Sequence, residues 1–170
     1  ILKRLTLNPV EEDEFIDKDL SMKDYLSEII SSFKEISQKK FIFNHDQFSN
    51  QKKITKSIEI VYGLRNFIGN ANKFSNETIH VTLKSDSEIT EITIEDDGNG
   101  YPKDVLSKIG EPYLRTKDPI DKSKAGLGLG LFIGKTLLEK NFASINCRNS
   151  KTRGGAEVII KWNNKDLFNI

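Results

Sequence analysis

Three short segments carry the residues whose types and spacing could bind a charged ligand. Residues 66–74 hold three asparagines and a lysine, residues 95–100 form an acidic turn with two glycines, and residues 126–131 alternate glycine with leucine. Each pattern is common by itself. In this order and with these gaps, they predict a pocket for a nucleotide.

The asparagine segment predicts contacts with magnesium and phosphate. Asn66 and Asn70 are four residues apart and therefore share one face of a helix. An amide oxygen on that face suits Mg²⁺, which takes few protein ligands. Lys73 lies one turn beyond and could balance phosphate charge, with Phe74 beside it. Taken alone, the segment favours a plain solvent-facing helix.

The acidic turn predicts recognition of a base. Asp96 ends a strand pattern, so its carboxylate could accept a hydrogen bond from an exocyclic amine such as the adenine N6 group. Gly98 and Gly100 would let the backbone bend sharply or approach the base closely. Without the other segments, an ordinary Asp-Gly turn would be the preferred interpretation.

The glycines at 126, 128 and 130 are expected to open a helix, where free N–H groups and the helix dipole favour phosphate. Two other glycine motifs do not fit. A P-loop needs four residues between its glycines, and only three separate Gly130 from Gly134. A dinucleotide fingerprint needs a strand before the glycines and a glycine at position 133, where the chain has Ile133.

Residues 110–125 lie between the two glycine segments and have no periodicity, so they predict a mobile loop. Four basic residues in it could close over phosphates: Arg115, Lys117, Lys122 and Lys124. A solvated loop with scattered charges fits the same residues equally well.

Length and composition limit the classes of protein to which the chain can belong. A chain of 170 residues fits one domain. Its 26 basic and 25 acidic side chains leave a net charge of +1, which argues against nucleic-acid binding through a basic field. No apolar run reaches the roughly 18 residues that span a bilayer. The single cysteine, Cys147, excludes an internal disulfide and is expected to be a buried strand residue.

Hydrophobic periodicity predicts an α/β two-layer sandwich, with a mixed sheet covered by helices on one face. Ser21 with Asp24 resembles a capping box at the start of the first helix. The expected helices are residues 21–37, 51–74, 102–109 and 127–141. The expected strands are residues 41–43, 78–84, 89–94, 143–148 and 156–162.

Together these segments resemble the catalytic ATP-binding domain of a sensor histidine kinase, a member of the GHKL superfamily. The resemblance covers about residues 19–162 and implies a Bergerat-type fold of about five strands and three or more helices, with a mobile ATP lid. Residues 1–18 would then be the tail of an upstream dimerisation helix plus a linker, and residues 19–170 the catalytic domain. Because the first residue is Ile1, we expect a piece of a longer protein.

By that resemblance, Asn70 is the Mg²⁺ ligand, Asn66 and Lys73 are catalytic residues that face the phosphates, and Asp96 reads the adenine. The resemblance assigns eleven further residues to ATP binding: Phe74, Gly98, Gly100, Tyr113, Lys117, Gly126, Leu127, Gly128, Leu129, Gly130 and Leu131.

The subgroup can be narrowed to the RegB/PrrB redox-responsive kinases. Residues 1–9, 110–117, 128–139 and 154–158 are similar to segments of that group. Arg115 stands where a small polar residue is expected, and Leu127 is a second departure. Neither removes a ligand, but both leave the details of the lid open.

The resemblance also bears on the reaction. ATP-hydrolysing relatives place a glutamate four residues before the metal asparagine, and Asn66 at that position cannot act as a general base. We therefore expect phosphoryl donation to a histidine. Neither His45 nor His80 has the helical context of an acceptor, so the acceptor should lie in an upstream dimerisation domain. A degenerate docking module and an ATPase that drives conformational change are the alternatives.

The implied partners are that histidine domain and a response-regulator receiver domain, without nucleic acid. The resemblance further implies a homodimeric parent anchored in the bacterial inner membrane, with this domain in the cytoplasm. By itself, the present chain is expected to be a monomer.

Overall fold

A computed structural model describes residues 19–46, 52–55, 57–109 and 122–169, and for residues 122–127 it describes the backbone alone. The helices are α1 Met22–Lys34, α2 Ile58–Phe74, α3 Lys103–Ser107, α4 Lys122–Lys140 and α5 Asn164–Leu167. The strands are β1 Leu20–Ser21, β2 Lys40–His45, β3 Lys53–Ile54, β4 Thr78–Ser85, β5 Ile89–Asp96, β6 Ser144–Asn149 and β7 Ala156–Asn163. No described helix has both the length and the hydrophobicity that a membrane span requires.

Five of the strands form one mixed sheet in the order β2-β4-β5-β7-β6. β2 runs parallel to β4, and the other neighbours are antiparallel. β5 is the central strand, paired with β4 on one side and β7 on the other. The predicted mixed sheet with helices on one face is confirmed.

Strict alternation gives the sheet a core face and an open face. The inward residues pack against the helices and are almost fully buried: Ile79, Val81, Leu83, Ile92, Ile94, Val158, Ile160 and Trp162. The open face carries cross-strand ion pairs, with Lys161 Nζ 3.5 Å from Glu91 Oε2 and Arg148 Nε 2.6 Å from Glu157 Oε2.

Helix α1 begins where a serine caps its first turn. Ser21 Oγ accepts a hydrogen bond from the Asp24 N–H at 3.3 Å and donates one to Asp24 Oδ2 at 2.9 Å. This confirms the expected cap. The helix ends at Lys34, three residues earlier than expected, and Ile36 beyond it is 81% exposed. The helical spacing of Ile36 was therefore coincidental.

Helix α2 begins at Ile58, not at residue 51. Ser57 is its N-cap, because Ser57 Oγ accepts a hydrogen bond from the Ile60 N–H at 3.2 Å. Ile54 fits the helical spacing but lies in β3, where it pairs with Leu20 of β1. The small β1–β3 sheet was not predicted, because two residues are too few to show a period.

Helix α4 begins at Lys122, so residues 122–125 are not part of a loop. Gly126, Gly128 and Gly130 accordingly lie inside the helix, and the expectation that they open it is wrong. Glycine costs about 1 kcal/mol in a helix, but glycines at the contact between α4 and α2 let the two helices pack closely. A Cβ at Gly134 of α4 would lie 2.8 Å from the Phe67 ring, and a Cβ at Gly63 of α2 would lie 2.6 Å from Leu138 Cγ.

A strained residue ends α4. Phe142 has a φ of +69° and is 64% exposed. The Ala143 N–H bonds the Leu138 carbonyl and the Phe142 N–H bonds the Glu139 carbonyl, each at 3.0 Å. This is the Schellman arrangement, whose left-handed position usually holds glycine.

Phe142→Gly is expected to raise the free energy of unfolding by about 1 kcal/mol, because glycine adopts positive φ without the Cβ clash. Phe142→Ala keeps the Cβ and is the control without that gain. Urea unfolding of the three proteins measures the effect. A loss of stability in Phe142→Gly would show that contacts of the exposed ring matter more than its backbone strain.

Candidate functional site

Asp96 is a carboxylate at a core position. It continues the inward-facing series of β5 after Ile92 and Ile94 and is only 4% exposed. Its Oδ1 accepts hydrogen bonds from the Gly98 N–H at 2.9 Å and the Ala156 N–H at 3.2 Å. None of the described residues donates to its Oδ2, which leaves that oxygen for a ligand.

Burial is the main influence on the charge of Asp96 and raises its pKa. The two backbone hydrogen bonds oppose burial, because they favour the ionised form. The neighbouring Asp97 charge raises the pKa further, and Lys39 lowers it. Burial of the Asp96 carboxylate therefore disfavours its ionised form, and the two N–H donors that hold it favour that form.

Two glycines make room for this carboxylate. A Cβ at Gly98 would lie 2.1 Å from the Phe74 carbonyl oxygen, and a Cβ at Gly155 would lie 2.0 Å from the Asp96 carbonyl oxygen. Both contacts are with backbone, which cannot move aside. Gly100 has a φ of +77°, and a Cβ there would lie 2.7 Å from Asn149 Oδ1. The Asn149 amide accepts from the Tyr101 N–H and donates to the Tyr101 carbonyl.

Asn70 lies where α2 meets α4. A Cβ at Gly130 would lie 2.9 Å from both Asn70 Nδ2 and Oδ1, so the glycine leaves the amide its place. Asn70 Nδ2 is buried and has no hydrogen-bond partner among the described residues. A buried amide without a partner is costly. A half-turn of the amide exchanges its nitrogen and oxygen, so either atom can occupy the buried position.

The other residues of the asparagine segment lie on the same helix. Asn66 is half-buried and its Nδ2 donates to the Tyr62 carbonyl at 2.8 Å. Lys73 is exposed, with Nζ 5.3 Å from the centre of the Phe74 ring. The structure therefore brings Asn70 to Gly130 and Phe74 to Gly98, and leaves Lys73 on the surface.

The second glycine segment is placed only in part. Gly128 is buried, Leu129 is 53% exposed, and Leu131 is fully buried in the core. Leu131 is thus a core side chain. The structure describes only the backbone of Gly126 and Leu127, and Tyr113, Arg115 and Lys117 lie outside the described residues.

Two charged residues to which the sequence assigned no role, Lys39 and Asp97, form hydrogen bonds with the backbone that follows Asn70. Lys39 Nζ donates to the carbonyls of Asn72 and Ser75. The Asp97 carboxylate accepts from the N–H groups of residues 76–78. Nothing in the sequence near Asp97 or Lys39 indicates these partners, because they are backbone groups about twenty or more residues away along the chain.

The chain's two histidines both lie in strands. His45 ends β2 and is exposed. His80 lies on the open face of β4 and is half-buried, and burial followed by the nearby Arg153 charge lowers its pKa. The expectation that neither has helical context is confirmed, although His80 is less exposed than a surface residue.

A separate cavity of about 540 Å³ lies at the β4–β5 turn, lined by residues that include Lys84, Asp86 and Glu91. From Ile89 to Asp96 the strand rises about 24 Å. The cavity is therefore at the opposite end of β5 from the site, and none of the predicted site residues line it.

With this geometry established, comparison with known proteins identifies the family. The family model described as histidine kinase-, DNA gyrase B- and HSP90-like ATPase matches residues 55–166. This is more than half of the chain, and the chain belongs to that family.

Individual relatives agree. Sensor histidine kinase RegB of Cereibacter sphaeroides is 36% identical over 127 residues, which cover 66% of this chain and 28% of the relative. Sensor histidine kinase CpxA of Escherichia coli is 31% identical over 97 residues, covering 57% and 21%. The chain spans less than a third of the length of either relative.

A solved structure shows the same fold. The mycobacterial sensor histidine kinase MprB matches with a TM-score of 0.68 at 18% identity, covering 86% of this chain and 97% of that one. The five-stranded sheet with helices on one face is therefore a fold that the chain shares with that structure.

Gly155→Ala is expected to cost about 3 kcal/mol of stability, because the added methyl would overlap the Asp96 backbone. The adjacent Gly154→Ala is the matched control. Its φ is +78° but nothing lies within 4 Å of its Cβ, so only backbone strain of about 1 kcal/mol applies. Equal losses in the two variants, measured by urea unfolding, would contradict the close approach at Gly155.

Proposed function

We propose that this chain is the ATP-binding catalytic domain of a sensor histidine kinase. In this proposal it binds Mg²⁺-ATP and presents the γ-phosphoryl group to a histidine of a separate dimerisation domain, for onward transfer to a response-regulator aspartate. The observation that carries the proposal is the pairing of a buried Asp96, with one oxygen left for a ligand, and an unpartnered Asn70 amide.

Asp96 is suited to recognise adenine. Its Oδ1 is held by two backbone N–H groups, which fixes the direction of Oδ2. An ionised carboxylate oxygen in a buried site accepts strongly from an exocyclic amine. A base carrying a carbonyl at that position would leave two acceptors facing each other, and this selects adenine against hypoxanthine or guanine.

Asn70 is suited to hold the magnesium ion of Mg²⁺-ATP. No group of three His, Cys, Asp or Glu residues in the described chain could hold a metal by itself. A single amide oxygen plus phosphate oxygens is a typical magnesium arrangement. Asn70 is half-buried, and one end of its amide is buried without a partner among the described residues. When bound, the ion would neutralise phosphate charge.

The side chain at position 66 favours transfer over hydrolysis. Asn66 has no proton-accepting group suited to activate water, and its amide is engaged with the Tyr62 carbonyl. Catalysis would then consist mainly of positioning and charge neutralisation. The bond from the γ-phosphorus to the bridging oxygen breaks, a phosphorus–nitrogen bond to histidine forms, and ADP leaves.

A RegB-like redox role is part of the proposal, but Cys147 is poorly suited to sense a redox signal. Burial raises the pKa of its thiol to about 11, although a hydrogen bond with Tyr101 and the charge of Lys135 lower it somewhat. The thiolate is the reactive form, and it is scarce at neutral pH. Cys147 is a strand residue, as expected, and it is partly buried against the core.

The remaining elements of the proposal follow from the family. They are a histidine-containing dimerisation domain in the same protein, a receiver domain as the next acceptor, a homodimeric and membrane-anchored parent, and a cytoplasmic location for this domain. By itself, the chain is proposed to be monomeric.

Mg²⁺-ADP is expected to raise the thermal stability of the wild type, by about 2.7 kcal/mol at a hundredfold excess over Kd. Asp96→Asn should abolish most of the rise while keeping the fold, because the amide oxygen can still accept from the Gly98 and Ala156 N–H groups. The amide NH2 would then present a donor to the adenine amine, where an acceptor is needed. Thermal unfolding with and without nucleotide measures both effects.

The same samples separate the rival functions. No stabilisation in either protein would favour a degenerate docking module. Stabilisation accompanied by steady release of phosphate from ATP would favour an ATPase that drives conformational change. Stabilisation of the wild type without turnover is the result expected for a kinase domain tested without its histidine.

Gly130→Ala is expected to keep or raise stability, by up to about 1 kcal/mol, because alanine is the better helix former. It should nevertheless weaken nucleotide binding about tenfold in the presence of Mg²⁺, because the methyl displaces the Asn70 amide. Calorimetric titration with ADP, with and without Mg²⁺, tests this.

The matched control is Gly69→Ala, which gives the same helix gain in α2. Its Cβ would lie 3.4 Å from the Phe33 ring, which is an ordinary contact with α1 and not with α4. Normal Mg²⁺-dependent binding by Gly130→Ala would argue against Asn70 as the metal ligand.

A further inference from the structure

A lysine outside the three segments binds the end of the asparagine helix. The Lys39 ammonium donates to the backbone carbonyl of Asn72 and, at 2.7 Å, to that of Ser75, with the Lys73 carbonyl at 3.4 Å. The last carbonyls of a helix have no partner within it. A cation there also offsets the negative end of the helix dipole.

Asp97 holds the continuation of the same segment. Its carboxylate accepts from the N–H groups of Asn76 at 2.8 Å, Glu77 at 3.0 Å and Thr78 at 3.2 Å. Burial acts to raise the pKa of Asp97, but these hydrogen bonds outweigh it and the pKa is lowered. Because Asp97 directly follows Asp96, it ties the start of β4 to the turn that carries the base-reading carboxylate.

Between these two attachments the backbone segments touch. The Phe74 carbonyl lies so close to Gly98 that a Cβ there would be 2.1 Å away. The end of α2 and the Asp96 turn therefore pack without a side chain between them. Any shift in one must move the other.

We propose that Lys39 is a positioning residue for adenine recognition, which holds the C-terminal end of α2 against the turn that carries Asp96. This inference rests on the proposed function, since it assigns Lys39 to the same nucleotide site. Lys39 need not touch the nucleotide, because it acts through the backbone carbonyls that it binds and through its charge.

The charge of Lys39 supports this role. Burial raises the pKa of Asp96 first, the hydrogen bonds from Gly98 and Ala156 lower it, Asp97 raises it, and Lys39 lowers it. The Asp96 charge also acts on Tyr101, where burial is the main cause of a pKa well above the usual value, so Tyr101 is neutral near pH 7. These are the titratable groups that act on Asp96 within the described chain. Without Lys39 the pKa of Asp96 rises further.

Asp96 must be ionised to accept from the adenine amine, so binding fails as the pH falls through its pKa. Lys39→Met should therefore weaken ADP binding about tenfold at neutral pH and move the acid-side loss of binding to higher pH. Asp97→Asn removes the charge that raises the pKa of Asp96, and should move that loss to lower pH.

The experiment is calorimetric titration with ADP and Mg²⁺ between pH 5 and 8. Lys39→Arg keeps the charge, so its acid-side loss of ADP binding should have the same midpoint pH as that of the wild type. This comparison remains a test of the charge if Lys39→Met folds poorly. Lys84→Met removes an exposed lysine at the far end of β4 and should match the wild type throughout.

The outcomes separate the two proposals. A wild type that does not bind ADP overturns the proposed function, and this inference with it. A wild type that binds, beside a Lys39→Met variant with the same affinity and midpoint, overturns this inference alone. An equal loss at every pH would also overturn it, because that result reduces Lys39 to a structural contact without influence on Asp96.

Discussion

The close approach of α2 and α4 is the constraint on which the site depends. Three glycines, Gly63, Gly130 and Gly134, let the two antiparallel helices meet with no Cβ in the way. Their partners are Leu138, Asn70 and Phe67 respectively. Two of these partners belong to the core, so ordinary hydrophobic packing fixes the helix spacing. The third is polar, and the same spacing therefore decides where the Asn70 amide lies.

Asp96 illustrates how a core position can become a binding position. The inward series of β5 runs through isoleucines and ends in a carboxylate, where the sheet meets the end of α2. A buried carboxylate is costly unless it is well bonded. Here two backbone N–H groups satisfy one oxygen, and this leaves the second as the directed acceptor. Burial is the main influence on the pKa of this carboxylate and the two hydrogen bonds oppose it, while the charges of Asp97 and Lys39 act in opposite directions after them.

Much of this fold could be predicted from the sequence, because burial on the sheet follows a period of two and is decided locally. The alternation in β4 and β5 was visible in that way, and the Ser21 cap was visible from its spacing to Asp24. The start of α4 was not, because glycine is a poor helix former and its packing partners lie far away in sequence. Lys39 was also invisible, since its partners are backbone carbonyls that only the folded chain brings to it.

The site residues divide along the same line. Asn70 and Asp96 could be named as candidates from spacing and resemblance, and the structure brings the asparagine segment to both Gly130 and Gly98. Asp97 was inside a recognised segment, yet its role depends on three N–H groups about twenty residues earlier in the chain. Contacts with backbone leave no mark on side-chain patterns, and prediction from residue types therefore fails for them.

The central place of β5 has a consequence for the energetics of recognition. A strand bonded on both sides exchanges its amide hydrogens only through large openings, and it belongs to the most stable part of a domain. Asp96 ends such a strand, and its carboxylate accepts hydrogen bonds from the backbone of Gly98 and Ala156. The half of the site that we propose to read the base is thus held by the most stable part of the fold. Little conformational entropy would be lost there on binding, and affinity would benefit from that preorganisation.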